Sequence, residues 1–284
     1  MSIQIHMATI NICNSRCHFC VYRKPENTRP RGTMSMDLYK KIIDEAATIP
    51  QIDSIAFSAL GEPLLDKHIV ERVAYAHKMR PDWTPFELYT NGVYLTPEKF
   101  DALRDAGVDS LTISLNAVNA KQHERIMGLV GKYETVVGHA LYAKDNTRGK
   151  VDLLVKAVRD NKLFTESDQV EFYLRWGARL RPDLLPGVGQ VVYMCNWAGE
   201  VKTLEDREIT PDSCCARALC QFSILWDGIV SLCCYDPLAK YPFGDLKTQT
   251  IKEIYNSDSY LKFREMHAED RAGEHPHCRV CTRV

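Results

Sequence analysis

Three of the chain's eleven cysteines fall on one short stretch, Cys13, Cys17 and Cys20, and the next is Cys195. The remainder are Cys214, Cys215, Cys220, Cys233, Cys234, Cys278 and Cys281. Cysteines that merely fill a core would scatter, so two groups this far apart predict two metal sites. The expected compartment agrees. Met1 to Ile10 is too short and too polar for a secretory signal, and no apolar run reaches the roughly 18 residues a membrane span needs. In a reducing cytoplasm, clustered thiols serve as metal ligands rather than as a disulfide framework. A net charge of −1 supplies no electrostatic footprint for nucleic acid.

The chain between the two groups sets the scaffold. Short apolar runs predict strands at Ile3–Ile12, Ile52–Phe57, Phe86–Tyr89, Leu111–Leu115, Val151–Val158 and Gln190–Tyr193. Amphipathic stretches separate them, at Ser35–Ile49, Lys67–Met79, the segment between Thr96 and Gly107, Ala120–Met127, Tyr133–Ala143 and Thr165–Trp176. Thr96 as N-cap, Pro97 in the first turn and Gly107 as the stop punctuate the third helix. Repeated βα units imply a parallel sheet with right-handed crossovers. Six units are too few for a closed eight-stranded barrel, which predicts a partial (βα)6 TIM-like barrel with its chemistry at the C-terminal strand ends. From about residue 200 the rhythm is lost, dividing the chain into a barrel of residues 1–200 and a cysteine-rich extension of residues 201–284. In that extension Ile224–Leu232 reads as a β-hairpin turning at Asp227-Gly228, and Thr250 with Glu253 as a capping box.

Cys13-x3-Cys17-x2-Cys20 follows the first strand. Three thiolates on one loop can hold three irons of a cubane and leave the fourth open to a small chelating molecule. Structural zinc prefers four ligands built from Cys-x2-Cys pairs, so a zinc site would have to recruit His18 or His6. With aromatic Phe19 ahead of Cys20, the motif is similar to the signature of the radical SAM superfamily, enzymes of S-adenosylmethionine (SAM). The likeness continues along the barrel. Ser58-Ala59-Leu60-Gly61-Glu62-Pro63 resembles that superfamily's Gly-Gly-Glu-Pro element, with Leu60 where the first glycine usually stands. The resemblance implies a [4Fe–4S] cluster on Cys13, Cys17 and Cys20 with SAM on its open iron. It also implies SAM contacts from Phe19, Ala59, Gly61 and Glu62, from Thr90 and Asn91, and from Ser114 and Asn116. Leu153 or Val155 on the fifth strand would flank the adenine.

The hairpin would bring Cys215 or Cys220 near Cys233, and a terminal helix could return Cys278 and Cys281. Four thiolates with a Cys-x2-Cys pair suit zinc as well as a cluster. The segment resembles the twitch/SPASM extensions of radical SAM enzymes, matching the spacing Cys215-x12-Gly228-x4-Cys233 with a later Cys-x2-Cys. Asn196-Trp197-Ala198-Gly199 resembles a segment that precedes such extensions. That likeness implies one auxiliary [4Fe–4S] cluster on Cys215, Cys233, Cys278 and Cys281. Cys195 and Cys220 are candidate hydrogen-atom donors. Cys214 and Cys234 carry no assignment.

The resemblance implies an oxidoreductase- or epimerase-type enzyme. A 5′-deoxyadenosyl radical would take a hydrogen atom from a substrate carbon, leading to oxidation, epimerisation or rearrangement. A flavodoxin- or ferredoxin-type donor would supply the electron. A first strand at residue 3 leaves no room for a peptide-recognition domain ahead of it. That favours a small polar substrate (a sugar, aminocyclitol or nucleoside) over a peptide, with Arg159, Asp160, Arg175 and Glu200 as candidate contacts. The reading from a different class is a non-catalytic zinc or iron–sulfur binding module.

Overall fold

Strand and helix alternate from the first residues onward in the computed structural model, which describes residues 2–24, 27–58, 60–180, 186–201 and 215–282. The barrel comprises β1 (Ile3–Met7), α1 (Met36–Ala47), β2 (Ile52–Phe57), α2 (Ile69–Met79), β3 (Phe86–Thr90), α3 (Pro97–Ala106), β4 (Ser110–Ser114), α4 (Ala120–Met127), α5 (Tyr133–Asp145), β5 (Asp152–Arg159), α6 (Glu166–Trp176) and β6 (Gly189–Tyr193). The C-terminal part adds α7 (Ala216–Cys220), β7 (Gln221–Ile224), β8 (Ile229–Ser231), β9 (Gly244–Asp245), α8 (Ile251–Tyr255), α9 (Asp258–Ala268) and α10 (Pro276–Arg279).

The helix boundaries have local causes. The Thr96 side chain accepts from the Lys99 N–H, Pro97 opens α3, and Gly107 closes it at φ 115°. Reciprocal capping boxes join Thr165 to Asp168 at α6 and Thr250 to Glu253 at α8. The first strand is shorter than the apolar run Ile3–Ile12 suggests. After Met7 the chain bonds to residues 32–34 instead of β2, with Asn11 N–H donating to Gly32 and Met34 N–H to Thr9. That departure releases the cysteine loop from the sheet.

Among the described residues nine strands form one sheet, in the order β6-β5-β4-β3-β2-β1-β7-β8-β9. The first six are parallel and the sheet stays open, as the six βα units imply. β7 adds to β1 in parallel, Ile5 beside Phe222, and β8 returns antiparallel. The turn holds Gly228 at φ 86°, a conformation glycine adopts without a Cβ penalty. The hairpin therefore continues the barrel sheet rather than standing apart from it.

Side-chain alternation along each strand decides what faces where. On β5, Leu153, Val155 and Ala157 are buried in the core with the helices, together with Leu88 of β3 and Ile113 of β4. The intervening residues Lys156 and Val158 face the other way and line a cavity inside the barrel. Across the barrel, Gln4 of β1 reaches Glu87 of β3 with a hydrogen bond of 3.5 Å.

Candidate active site

The thiols of Cys13, Cys17 and Cys20 line one cavity at the C-terminal ends of the strands, with Phe19, Gly61, Glu62, Thr90, Asn91, Ser114 and Asn116 around it. The sequence separates these residues by as many as 103 positions, from Cys13 to Asn116. Parallel βα topology brings them to one edge. Ala59 lies outside the described residues.

The cysteine loop is held from several sides. The backbone N–H groups of Arg16 and His18 donate to the carbonyls of Met127 and Ile126 at the end of α4. Ser15 donates its hydroxyl to the Met127 carbonyl at 2.7 Å, and its oxygen lies 3.0 Å from the Cys17 sulfur. Ser15 N–H points at Cys13 Sγ and Tyr22 N–H at Cys20 Sγ, each at 3.4 Å. His18 Nε2 meets Asp160 at 2.7 Å, and the same carboxylate accepts the backbone N–H groups of Lys162, Leu163 and Phe164. These bonds hold the Asp160 carboxyl below its ordinary range despite burial.

Glu62 is the centre of the second strand end. Its Oε1 accepts from the Thr90 hydroxyl at 2.6 Å and Leu64 N–H at 3.0 Å, and its Oε2 from Asn91 N–H at 2.7 Å. Burial raises its pKa and these donors oppose the rise. Gly61 sits at φ 112°, and a Cβ there would stand 2.3 Å from the Ile10 carbonyl oxygen. Asn91 donates its side-chain amide to Asn14 Oδ1 at 2.8 Å, tying β3 to the cysteine loop. Asn116, at φ 54°, accepts from Val158 N–H at 3.0 Å.

The three leading thiols suit an iron–sulfur centre. Burial pushes Cys13 up to about 12, Cys17 up to about 11, and Cys20 further still. Thiolates there need metal, which deprotonates them outright. The N–H groups aimed at the sulfurs are the donors that orient such ligands. Among the described residues no three His, Cys, Asp or Glu side chains converge as ligands of a single ion.

In the C-terminal part Cys215, Cys233, Cys278 and Cys281 line a second, smaller cavity with Arg217, Phe263, His267 and His277. α7 delivers the first, the end of β8 the second, and α10 the last pair. Tyr235 N–H donates to Cys233 Sγ at 3.4 Å, and Cys278 Sγ lies 3.5 Å from His267 Nε2. Four thiols, one for each iron of a cubane, suit a fully ligated cluster.

Several expectations change. Leu153 and Val155 do not flank the cavity of the three leading thiols, because strand alternation turns them into the core; Val158 lines it instead. Cys220 lies at the end of α7 and lines neither cavity. Cys195 interacts electrostatically with Cys20, Lys156 and Tyr235, between the two cysteine groups. Asp160 belongs to the His18 contact. Arg159 pairs with Glu166 and Arg175 bonds to Tyr133, and Glu200 pairs with Lys240. None of these four lines the barrel cavity. Cys214 lies outside the described residues.

Lys156, Tyr89, Met127 and Trp197 line the cavity without having been singled out in the sequence for this role. The parity of β5 relative to its buried odd positions is the signal that would have found Lys156. Trp197 carried only a weak motif; its indole reaches the cysteine loop by tertiary contact.

Comparison with known proteins agrees with this geometry. Residues 7–156 match the Radical SAM superfamily, and residues 214–282 match an iron–sulfur cluster-binding domain, SPASM. The S-adenosyl-L-methionine-dependent 2-deoxy-scyllo-inosamine dehydrogenase of Niallia circulans is 23% identical over 96% of this chain and 89% of its own. The tungsten-containing aldehyde ferredoxin oxidoreductase cofactor-modifying protein of Pyrococcus furiosus is 23% identical over 92% of this chain and 82% of its own. The crystal structure of BtrN in complex with AdoMet and 2-DOIA superposes with a TM-score of 0.71, at 21% identity, over 100% of this chain and 94% of that one. Streptococcus suis SuiB bound to precursor peptide SuiA gives 0.69, at 12% identity, over 93% and 67%. Among the described residues no helix is long and apolar enough to cross a membrane. The superfamily match spans more than half of the chain and includes the three leading thiols, Glu62, Asn91 and Ser114, so this chain belongs to the radical SAM superfamily: an enzyme whose cofactors are a [4Fe–4S] cluster and SAM, with an auxiliary iron–sulfur cluster in its C-terminal domain.

Proposed function

We propose that the enzyme abstracts a hydrogen atom from a carbon of a small polar substrate bound inside the barrel, and that the outcome is a two-electron oxidation. When bound, the SAM-site cluster and SAM supply a 5′-deoxyadenosyl radical, and the auxiliary cluster supplies an acceptor for the electron left on the substrate. Cys13, Cys17 and Cys20 hold the first centre, with the Ser15 and Tyr22 N–H groups orienting the sulfurs. Glu62, fixed by Thr90 and Asn91, presents its carboxylate to the amino group of SAM. Gly61 lets the backbone pass against Ile10 without a side chain in the way. Cys215, Cys233, Cys278 and Cys281 hold the auxiliary centre. In this reading residues 1–200 form the SAM barrel and residues 201–284 the extension that carries the acceptor.

The observation that most supports oxidation is the second cavity with four cysteines and no open ligand position: such a centre has no iron to offer a substrate, so its use is to take an electron. A dehydrogenase that resembles this chain along nearly its whole length points the same way. A thiol donor such as Cys195 would instead return hydrogen and give epimerisation. Its place between the two cysteine groups keeps that second outcome on the test.

The test is anaerobic reconstitution with iron and sulfide, followed by an iron count and a search for 5′-deoxyadenosine after addition of dithionite and SAM. About eight irons per chain, and deoxyadenosine that disappears in a Cys13/Cys17/Cys20→Ala variant, are expected. Tightly bound zinc without deoxyadenosine would reassign the chain as a binding module.

A further inference from the structure

Two histidines line the second cysteine cavity, and they stand differently toward its sulfurs. His277 hydrogen-bonds the Tyr235 backbone, and its Nε2 is 4.0 Å from Cys233 Sγ, at the edge of contact. His267 is fully buried on α9, and its Nε2 lies 3.5 Å from the Sγ of Cys278, itself buried on α10. The Phe263 ring, one turn earlier on α9, meets the His267 ring edge to face with centres 4.7 Å apart. The helix and this ring contact fix the direction in which Nε2 points.

A neutral imidazole carries a proton on one nitrogen, so either an N–H or a lone pair faces the sulfur. As a metal ligand Cys278 is a thiolate, an acceptor with no proton of its own. A lone pair on Nε2 would then oppose the sulfur's lone pairs in a buried site, a repulsive pairing. Ligation at Cys278 therefore selects the Nε2–H tautomer, and His267 becomes a donor to a cluster sulfur. Each electron taken up by such a centre adds one negative charge, and burial leaves water little part in offsetting it. A hydrogen bond to a ligand sulfur favours the more negative state and so raises the reduction potential.

We infer that His267 is a positioning residue of the auxiliary centre, donating its Nε2–H to Cys278 Sγ and raising the potential at which that centre accepts an electron. This rests on the reading of Cys215, Cys233, Cys278 and Cys281 as the ligands, and it deepens the proposed oxidation. A substrate radical that gives one electron to this centre and one proton to solvent ends as the oxidised product, and the His267 bond makes the centre a stronger acceptor for that electron. Tyr235 supplies a comparable bond at Cys233 with its backbone N–H, at 3.4 Å. His267 does so with a side chain, which substitution can remove.

The test is a redox titration of the reconstituted holoenzyme followed by electron paramagnetic resonance, with dithionite as reductant, in wild type, His267→Phe and His267→Gln. The Cys13/Cys17/Cys20→Ala background, which keeps only the auxiliary centre, assigns its signal. Phe keeps a ring and removes the nitrogens, whereas Gln places an amide N–H at the reach of Nε2. At a fixed poise the ratio of reduced to oxidised auxiliary cluster should fall roughly tenfold in His267→Phe, a shift of about 59 mV to more negative potential. It should return toward wild type in His267→Gln, and the potential of the SAM-site cluster should not move. His267→Leu, smaller and without a donor, is read in the same way if the Phe ring prevents assembly. An unshifted potential without the donor, or a His267→Gln as displaced as His267→Phe, overturns the assignment. Iron lost from the second site in every variant makes His267 a ligand and overturns it too. About four irons per chain in wild type instead of about eight removes the auxiliary centre itself, a failure of the underlying reading that the iron count separates from any shift in potential.

Discussion

The indole N–H of Trp197 donates to the carbonyl oxygen of Phe19 at 2.9 Å, joining residues 178 positions apart. The segment after β6 is thereby fastened to the loop that carries the three leading thiols. The same segment is tied to the C-terminal tail, where Asn196 exchanges hydrogen bonds with Thr282 at 2.9 Å in both directions. Trp197 also packs against Tyr235, ring centres 5.5 Å apart, two residues beyond Cys233. One short stretch therefore touches both cysteine groups.

Replacing Trp197 by Phe keeps most of the ring and removes the donor. A single neutral hydrogen bond contributes about 1 kcal/mol, so SAM affinity should fall by a few-fold while the iron count at both sites stays unchanged. Isothermal titration of SAM into wild type and variant measures this. Loss of iron from the first site would show that the bond holds the loop itself.

Glu62→Gln replaces an acceptor-only carboxylate with an amide that carries donors. One of the three N–H or O–H groups now bonded to Glu62 is then opposed by another donor, a buried mismatch costing about 1–3 kcal/mol. Reduced thermal stability and a SAM affinity at least tenfold weaker are expected. Unaltered SAM binding would remove Glu62 from the cofactor site.

Gly61→Ala meets two obstacles at once, a left-handed φ of 112° and a Cβ 2.3 Å from the Ile10 carbonyl oxygen. The neighbour is backbone, so it cannot rotate away. A loss of about 2 kcal/mol or more of stability is expected by denaturant titration, together with weak SAM binding. A variant as stable as wild type would mean that this strand end adopts another course.

His6, inside the barrel beside Ser58, is held down to about 4 from an ordinary 6.5, first by burial and then by the charge of Arg217. The unfolded chain takes up this proton near pH 6.5 and the folded one only near pH 4. Over that window the unfolded state binds more protons, so stability falls as the pH falls and levels off below it. The contribution is of order 3 kcal/mol at the acid end. Unfolding of His6→Gln measured from pH 7 to pH 4 should show a shallower slope than wild type; parallel curves would place the acid sensitivity elsewhere.

Much of this enzyme is legible along the chain. The spacing of Cys13, Cys17 and Cys20, the Gly61-Glu62-Pro63 turn, the caps of α3, α6 and α8, and the Asp227-Gly228 hairpin all follow from local rules of thiol ligation, backbone conformation and capping. Those rules act over a few residues, so sequence alone carries them. What only the tertiary structure decided are relationships across the barrel. Val155 faces the core while Lys156 faces the cavity, since the inner face is settled by which side of the sheet the helices cover. Trp197 reaches Phe19, and β7 joins β1, because an open six-stranded sheet leaves an edge that a later strand must pair. His267 and Arg217 enter the second cysteine site through the packing of α9 and α7, which no spacing along the chain records.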